Sequence, residues 1–538
     1  MRETAEKRAW QSAAVLALPF CGSAYYTWKV DALDRSGLLA SGPLFSLEDL
    51  WIVAALTAIA VPLLGKALAW ASSCSFPPGK GQAPPFWAGT GFLFLLWLPV
   101  LLVFYPAAGM NDTVYMMENP LKGSIQFPWA PAFFWGTGAR FAKTLTGSRE
   151  PFIFAAVLCQ MILMAAGLSW AARAGARLAG HPRAAWGLLL YFAFFPMCGN
   201  YAAAAVRDPL YSLALLGWTL ILARAAARKE SPLFLTGIFF AALMLLRSNG
   251  IYVSLLLAGA LMILRKREAK RTGLLFLLCA AAAVLPGRAI LHSIGEEPLF
   301  QEAAAIPLQQ AGRVFVTGGA MDEEMKELLT SYLPEEQWKK GYSPYTVDFI
   351  KWDPSFRHDR MTETKGQFLA GWIRTGLANP GAYMAGWMTE TYALWNLDPL
   401  EHQVQSRFGW ALTDEGTAHM EPADNDHLAA GPLPLPSWLK SAVVWYSFEG
   451  SRFLGAGLCL WITLFGGALL YVRGEKRLAL CSLPLWANTA TLLVSTPASA
   501  VFRYSFAFVL ILPVLAVLAA GSMGKADGKD SPEEDGKQ

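Results

Sequence analysis

The chain has 538 residues, 54% of them hydrophobic and 16% charged, with a formal net charge of +4. Its charged fraction falls well below the ~25% of soluble domains, because apolar runs of ~18–22 residues recur along it, each long enough to cross a bilayer. That excludes a soluble globular chain, and so small a net charge gives no reason to expect a nucleic-acid partner.

Taken in chain order, the apolar runs predict twelve membrane spans, at 9–26, 49–70, 86–105, 151–171, 184–203, 208–226, 231–247, 250–264, 271–290, 451–472, 477–494 and 501–520. The basic start, Met1 to Arg8, precedes an apolar run with no small-residue cleavage site, so it reads as a first span and not a signal peptide. Lys and Arg recur in alternate loops, among them Arg173-Arg177-Arg183, Arg224-Arg228-Lys229 and Arg265-Lys266-Arg267. The positive-inside bias then places both termini in the cytoplasm and the protein in the plasma membrane.

This organisation has four parts. Residues 1–290 form a transmembrane module of about nine spans with an outer loop at 106–150. Residues 291–450 form an extracytoplasmic domain, since so long a loop without structure is improbable. Residues 451–520 form a three-span module, and 521–538 a disordered cytoplasmic tail. The fold class expected is an all-α polytopic membrane protein of about 12 transmembrane helices with one mixed, mainly helical outer domain. In the outer loop, Phe127 to Leu145 mixes aromatic and basic residues and reads as helix lying in the membrane interface. In the outer domain, Glu323–Leu333, Gly366–Leu377 and Pro380–Trp395 read as helices and Val314–Thr317 as a strand. Asp348, Lys351, Asp353, Arg357 and Asp359 read as a solvated face.

Chemistry concentrates where the spans open outward. Asp112 follows the Tyr105-Pro106 break after the third span. Arg207-Asp208 opens the sixth span, Arg247 closes the seventh, and Arg503-Tyr504 opens the twelfth. Singly, each has a plain explanation. Arginines at span ends snorkel to headgroups, Asp208 before Pro209 caps a helix, and Asp112 beside Asn111 suits a turn. Five ionisable groups on one face are not expected from those explanations. Such groups cost a few kcal/mol at membrane depth unless paired or hydrated. Arginine forks suit phosphate oxygens, and a nearby carboxylate suits removal of a hydroxyl proton. Tyr105, Asn249 and Tyr504 stand beside these residues as supports. No glycine-rich phosphate loop precedes a helix, and neither a disulfide framework nor a Cys/His metal spacing is present.

Four stretches carry a resemblance: Tyr105-Pro106 to Asp112; Arg207-Asp208-Pro209-Leu210; Leu245-Leu246-Arg247-Ser248-Asn249-Gly250-Ile251-Tyr252; and Ile306-Pro307-Leu308-Gln309-Gln310-Ala311-Gly312-Arg313-Val314. Together, over residues 86–520, they resemble a bacterial family of multi-pass proteins similar to the GT-C glycosyltransferases, the superfamily of protein mannosyltransferases and lipid-A aminoarabinose transferase. The resemblance implies a GT-C-like fold and transfer of a sugar, on the outer leaflet, from a polyprenyl-phosphate donor to a glycan, lipid or protein acceptor. It implies Asp112 as catalytic base, Asp208 as a second acidic group for acceptor or metal, and Arg207, Arg247 and Arg503 on the donor phosphate. The family's basic-Asp pair is often Lys-Asp, and here it is Arg207-Asp208. Mg²⁺ or Mn²⁺ on the two aspartates stays open, though no ligand set of the usual size is visible. A transporter or flippase of lipid-linked glycans and a non-catalytic envelope assembly protein are the alternatives. The first calls for repeated halves and broken helices, and the second has no need of the Asp/Arg set.

Overall fold

The computed structural model describes residues 2–74, 81–227, 232–398, 412, 431–449, 455–496 and 502–524. The expected tail falls mostly on 525–538, outside the described residues. The described chain is built of helices and contains no strand; its β-type pairings are two isolated bridges, Ala108 with Ala204 and Ser343 with Thr346.

Among the described residues, seven helices are long and apolar enough to cross a membrane: Leu47–Ser73, Phe86–Val103, Glu150–Leu178, Asp208–Ala226, Lys266–Ser293, Lys476–Ser495 and Phe502–Gly521. Four shorter apolar helices accompany them, Ala184–Phe194, Leu233–Leu246, Gly250–Leu264 and Ala456–Val472. The protein is therefore all-α and polytopic, with fewer long spans among the described residues than the twelve expected. Two causes are visible. The run at 9–26 lies inside Arg2–Arg35, a helix of 34 residues whose apolar stretch is diluted by Gln11, Ser12, Ser23 and Tyr25. The run at 184–203 is cut at Pro196, which has no N–H for the preceding turn and starts a separate helix, Pro196–Ala202.

Burial ranks the helices. The most apolar window of Asp208–Ala226 is 78% buried within the protein, and that of Lys266–Ser293 only 6%. The first is thus the hub of the bundle and the second a peripheral, lipid-facing helix. Close approach needs small residues at the hub. A Cβ on Gly217 would strike the Phe239 ring of Leu233–Leu246, so any larger residue there would force that ring to move.

The region between Lys266–Ser293 and Ala456–Val472 has its own core, in which Leu308, Leu329, Tyr332, Trp338, Ile350 and Phe368 are buried together. Helices form at Glu323–Tyr332, Lys365–Ala378 and Pro380–Glu390. Asp322 caps the first, accepting a hydrogen bond from the Met325 amide at 2.8 Å. The expected strand at Val314–Thr317 is the last turn of the helix Ala305–Thr317. The β-branched valines that hinted at a strand belong instead to an apolar helical face, with Leu308, Ala311 and Val314 buried at helical spacing.

The expected solvated face is also corrected at Lys351, which is 1% exposed and ion-paired with Glu302 at 2.9 Å and Asp348 at 3.1 Å. Glu390, at the end of Pro380–Glu390, is fully buried. Burial pushes its carboxyl well above the usual range, and the charge of Asp348 pushes the same way, outweighing Lys351.

This region is tied to the helix bundle at several points. The Trp387 indole donates to the Leu493 carbonyl at 2.8 Å, and the Tyr392 hydroxyl donates to Asp31 at 2.7 Å. Arg313 donates to the carbonyls of Leu39 and Gly42, both at 3.1 Å.

Candidate functional site

Two loops meet above the hub helix. After Phe86–Val103 the chain turns through the cis Tyr105-Pro106 bond and leaves the helix as irregular backbone. Ala108 in this stretch pairs with the loop that precedes Asp208. The Ala108 amide donates to Ala203 at 3.0 Å, and the Ala205 amide donates to Ala108 at 2.9 Å. Thr113 donates its hydroxyl to the Ala205 carbonyl, and Gln160, buried in the span Glu150–Leu178, donates to the Ala204 carbonyl at 2.8 Å. Irregular backbone at this depth needs such partners, because no helix satisfies its polar groups. The stitching brings Asp112, in the first turn of the helix Asn111–Glu118, beside Arg207 and Asp208.

Five charged side chains then close into one cluster. Arg503, from the turn Phe502–Ser505, donates two hydrogen bonds to Asp112, Nη1 to Oδ2 at 2.9 Å and Nη2 to Oδ1 at 3.3 Å. Arg207 lies 3.5 Å from the same carboxylate. Arg247, between Leu233–Leu246 and Gly250–Leu264, is ion-paired with Asp208. All five are largely buried: the Asp208 side chain is 2% exposed, those of the three arginines 10–12%, and that of Asp112 19%. Three guanidiniums against two carboxylates leave an excess of one positive charge.

Aromatic rings form the walls. Arg207 lies over the Phe127 ring at 4.6 Å, and Arg247 over Tyr504 at 4.4 Å. Arg503 lies over the same Tyr504 ring at 4.9 Å, and its Nη2 donates to the Tyr504 hydroxyl at 3.1 Å. Such faces attract desolvated cations. Tyr504 thus sits between two arginines, and its carbonyl accepts from Asn488 at 3.0 Å. Asn488 also accepts from the Tyr211 hydroxyl at 3.0 Å, while Asn249 donates to Thr491 at 2.7 Å. These bonds clamp the starts of Asp208–Ala226 and Gly250–Leu264 to Leu483–Ser495.

Burial alone would push the Asp112 carboxyl up, but the charges of Arg503 and Arg207 outweigh it and hold the group below its ordinary value. Asp112 is an anion at neutral pH. Asp208 keeps one carboxylate oxygen, Oδ2, buried without a hydrogen-bond partner, as do the Nε atoms of Arg207 and Arg503. Buried polar atoms in native structures are nearly always paired, so these three retain hydrogen-bonding capacity that the cluster itself does not use.

All five charged members of the cluster are among the residues expected from the sequence. Asn249 and Tyr504 support it as described. Tyr105 does not join it: its ring packs against Phe154 at a centroid distance of 5.2 Å, and its backbone is covered by Gly431, where a Cβ would collide with it. Asp208 is more than a helix cap, since its carboxylate engages Arg247 and the cap position belongs to Arg207. Asp112 starts a helix and not a turn. Sequence reasoning passed over Gln160, Tyr211, Asn488 and Phe127. Gln160 and Asn488 were signalled as lone amides within apolar runs, which are costly there unless bonded.

The donor set does not fit Mg²⁺ or Mn²⁺. Both aspartates are engaged by guanidiniums, the local charge excess is positive, and no group of three or more His, Cys, Asp or Glu side chains suited to a metal occurs among the described residues.

Residues 123–532 match the family described as "Family of unknown function (DUF6020)". No curated protein and no solved structure matches the chain.

Proposed function

The chain belongs to that family of unknown function, which brings no activity with it, and we propose from the ionic cluster that it is a membrane glycosyltransferase of GT-C type. The reaction proposed moves a sugar from a polyprenyl-phosphate donor to an envelope glycan, lipid or protein acceptor at the outer leaflet. One observation carries this reading: two aspartates and three arginines from four separate stretches of chain meet at the mouth of an apolar helix bundle.

The chemistry suits that arrangement. A lipid phosphate would insert among Arg207, Arg247 and Arg503, whose positive excess and unpaired Nε atoms favour an anion. Its isoprenoid tail would lie along the lipid-exposed helices. In the transfer, a bond forms between the acceptor oxygen and the anomeric carbon, and the bond from that carbon to the phosphate oxygen breaks. Polyprenyl phosphate leaves, carrying the charge the arginines stabilise. The acceptor proton goes to Asp112.

Paired with two arginines, Asp112 is a weak base. An incoming phosphate that competes for Arg503 and Arg207 would loosen both pairs and restore basicity at the carboxylate. Base and donor site would then be coupled, so that Asp112 becomes competent only with donor in place. General-base help of this kind is typically worth ~10²–10⁴-fold.

The test is a comparison of lipid extracts from a deletion strain, its parent, and a strain carrying Asp112→Asn at normal protein level. The expected result is a polyprenyl-phosphate sugar accumulating in the deletion and in D112N, with one glycan decoration lost. Unchanged lipids and glycans in the deletion strain would overturn the reading.

A further inference from the structure

The hub helix carries Asp208 at one end and Arg224 in its last turn at the other. At ~1.5 Å of rise per residue, these ends stand about 24 Å apart. Arg224 therefore belongs to the membrane face opposite the ionic cluster. There it lines a cavity of ≈350 Å³ together with Arg177, from the last turn of Glu150–Leu178. Trp170, Leu220, Ile221 and Leu235 supply its apolar walls. A second cavity of ≈430 Å³, which adds Glu475, Lys476 and Arg477, shares the Leu178 wall.

Two features set this slot apart from ordinary interfacial arginines. Neither Arg177 nor Arg224 has a carboxylate partner among the described residues, whereas all three arginines of the ionic cluster have one. And both residues line a concave, mainly apolar surface between packed helices, not a convex helix end. A phosphate with an apolar chain attached matches both: paired donors for the oxygens and a hydrocarbon wall of a volume within the ~300–1,000 Å³ of small-molecule sites. A free anion would leave the wall unused.

We propose that this slot binds an anionic phospholipid of the leaflet opposite the ionic cluster, its phosphate between Arg177 and Arg224 and one acyl chain against Trp170, Leu220, Ile221 and Leu235. The lipid would seal the seam between Glu150–Leu178 and Asp208–Ala226, two helices that also fix the positions of Gln160 and Asp208. The proposal stands whether or not the ionic cluster transfers sugar.

The test uses the full chain in nanodiscs of phosphatidylcholine with and without phosphatidylglycerol, read by native mass spectrometry and by melting temperature. The wild type is expected to retain phosphatidylglycerol over phosphatidylcholine and to melt higher in its presence. R177Q/R224Q should lose that preference by about 10- to 30-fold, at ~1 kcal/mol per basic residue, and R177K/R224K should recover most of it. K270Q/R271Q, which removes exposed charge from the start of the helix Ala269–Ser293, should keep the preference. Equal lipid retention by wild type and R177Q/R224Q would overturn the site, as would an equal loss in K270Q/R271Q. A melting shift reproduced by inorganic phosphate in phosphatidylcholine discs would overturn the lipid as occupant.

Discussion

Arg503 and Asp112 are 391 positions apart in the chain and are joined by two hydrogen bonds, at 2.9 and 3.3 Å. The pair is bidentate and largely buried, and Arg207 reaches the Oδ2 atom of the same carboxylate at 3.5 Å. Buried pairs of this kind contribute little against an apolar replacement but cost ~3–5 kcal/mol when one partner is removed alone. Arg503→Gln and Asp112→Asn should each destabilise by about that amount, and the double variant D112N/R503Q by clearly less than their sum. A coupling of about 1–3 kcal/mol is expected from unfolding curves in detergent; strict additivity would mean that the two side chains do not meet.

The same pair sets an acid response. The Asp112 carboxyl is held below its ordinary value in the folded protein, so its contribution is fully present above the unfolded value of ~3.9 and is lost as pH falls through the folded one. The stability gap between wild type and D112N should be constant from pH 7 down to about pH 5 and shrink below about pH 4. A gap that widens on acidification would contradict the assignment.

Glu390 predicts the opposite sign. Its carboxyl is raised well above the ordinary value by burial, so its contribution is greatest below the unfolded value of ~4.3 and falls as pH rises toward the folded one. Glu390→Gln should therefore raise the melting temperature at neutral pH by a few degrees, with the gain disappearing below about pH 4. Equal melting at pH 7 would show that the carboxylate is well solvated or paired.

Gln160 should behave as a positioning residue. It makes no ion pair, yet it holds the loop that sets Arg207 and Asp208 through a 2.8 Å bond to Ala204. Gln160→Met preserves the volume and removes the donor. A cost of about 1–3 kcal/mol is expected from the carbonyl left unpaired. In the proposed transfer, KM for the lipid donor should rise more than kcat falls. A change confined to kcat would place Gln160 in the chemistry instead.

Much of this site is legible in the amino-acid sequence, because ionisable residues in an apolar chain stand out and charge bias orders the loops. Asp112, Arg207, Asp208, Arg247 and Arg503 need only that. Their pairing is not legible: that Asp112 engages Arg503 while Asp208 engages Arg247 depends on the Ala108 and Ala203–Ala205 stitching, which is backbone bonding with no side-chain signature. Valine-rich Val314–Thr317 misleads because a short apolar run fits a strand as well as a buried helical turn. Lys351 misleads because its partner Glu302 is distant in sequence. Tyr105 misleads because adjacency to a break says nothing of where the ring points.

The pairing of Asp112 with a residue at the start of the final apolar helix also fixes an order of events during synthesis. At ~5–20 residues per second, the ribosome needs about 20–80 s to travel from Asp112 to Arg503. Through that interval the carboxylate lacks its bidentate partner and must stay hydrated, or lean on Arg207, while later helices enter the bilayer. Only insertion of the helix that Arg503 opens supplies the bidentate partner. A chain interrupted before that point would hold its Asp112 carboxylate against Arg207 alone, by a 3.5 Å contact and without the paired hydrogen bonds.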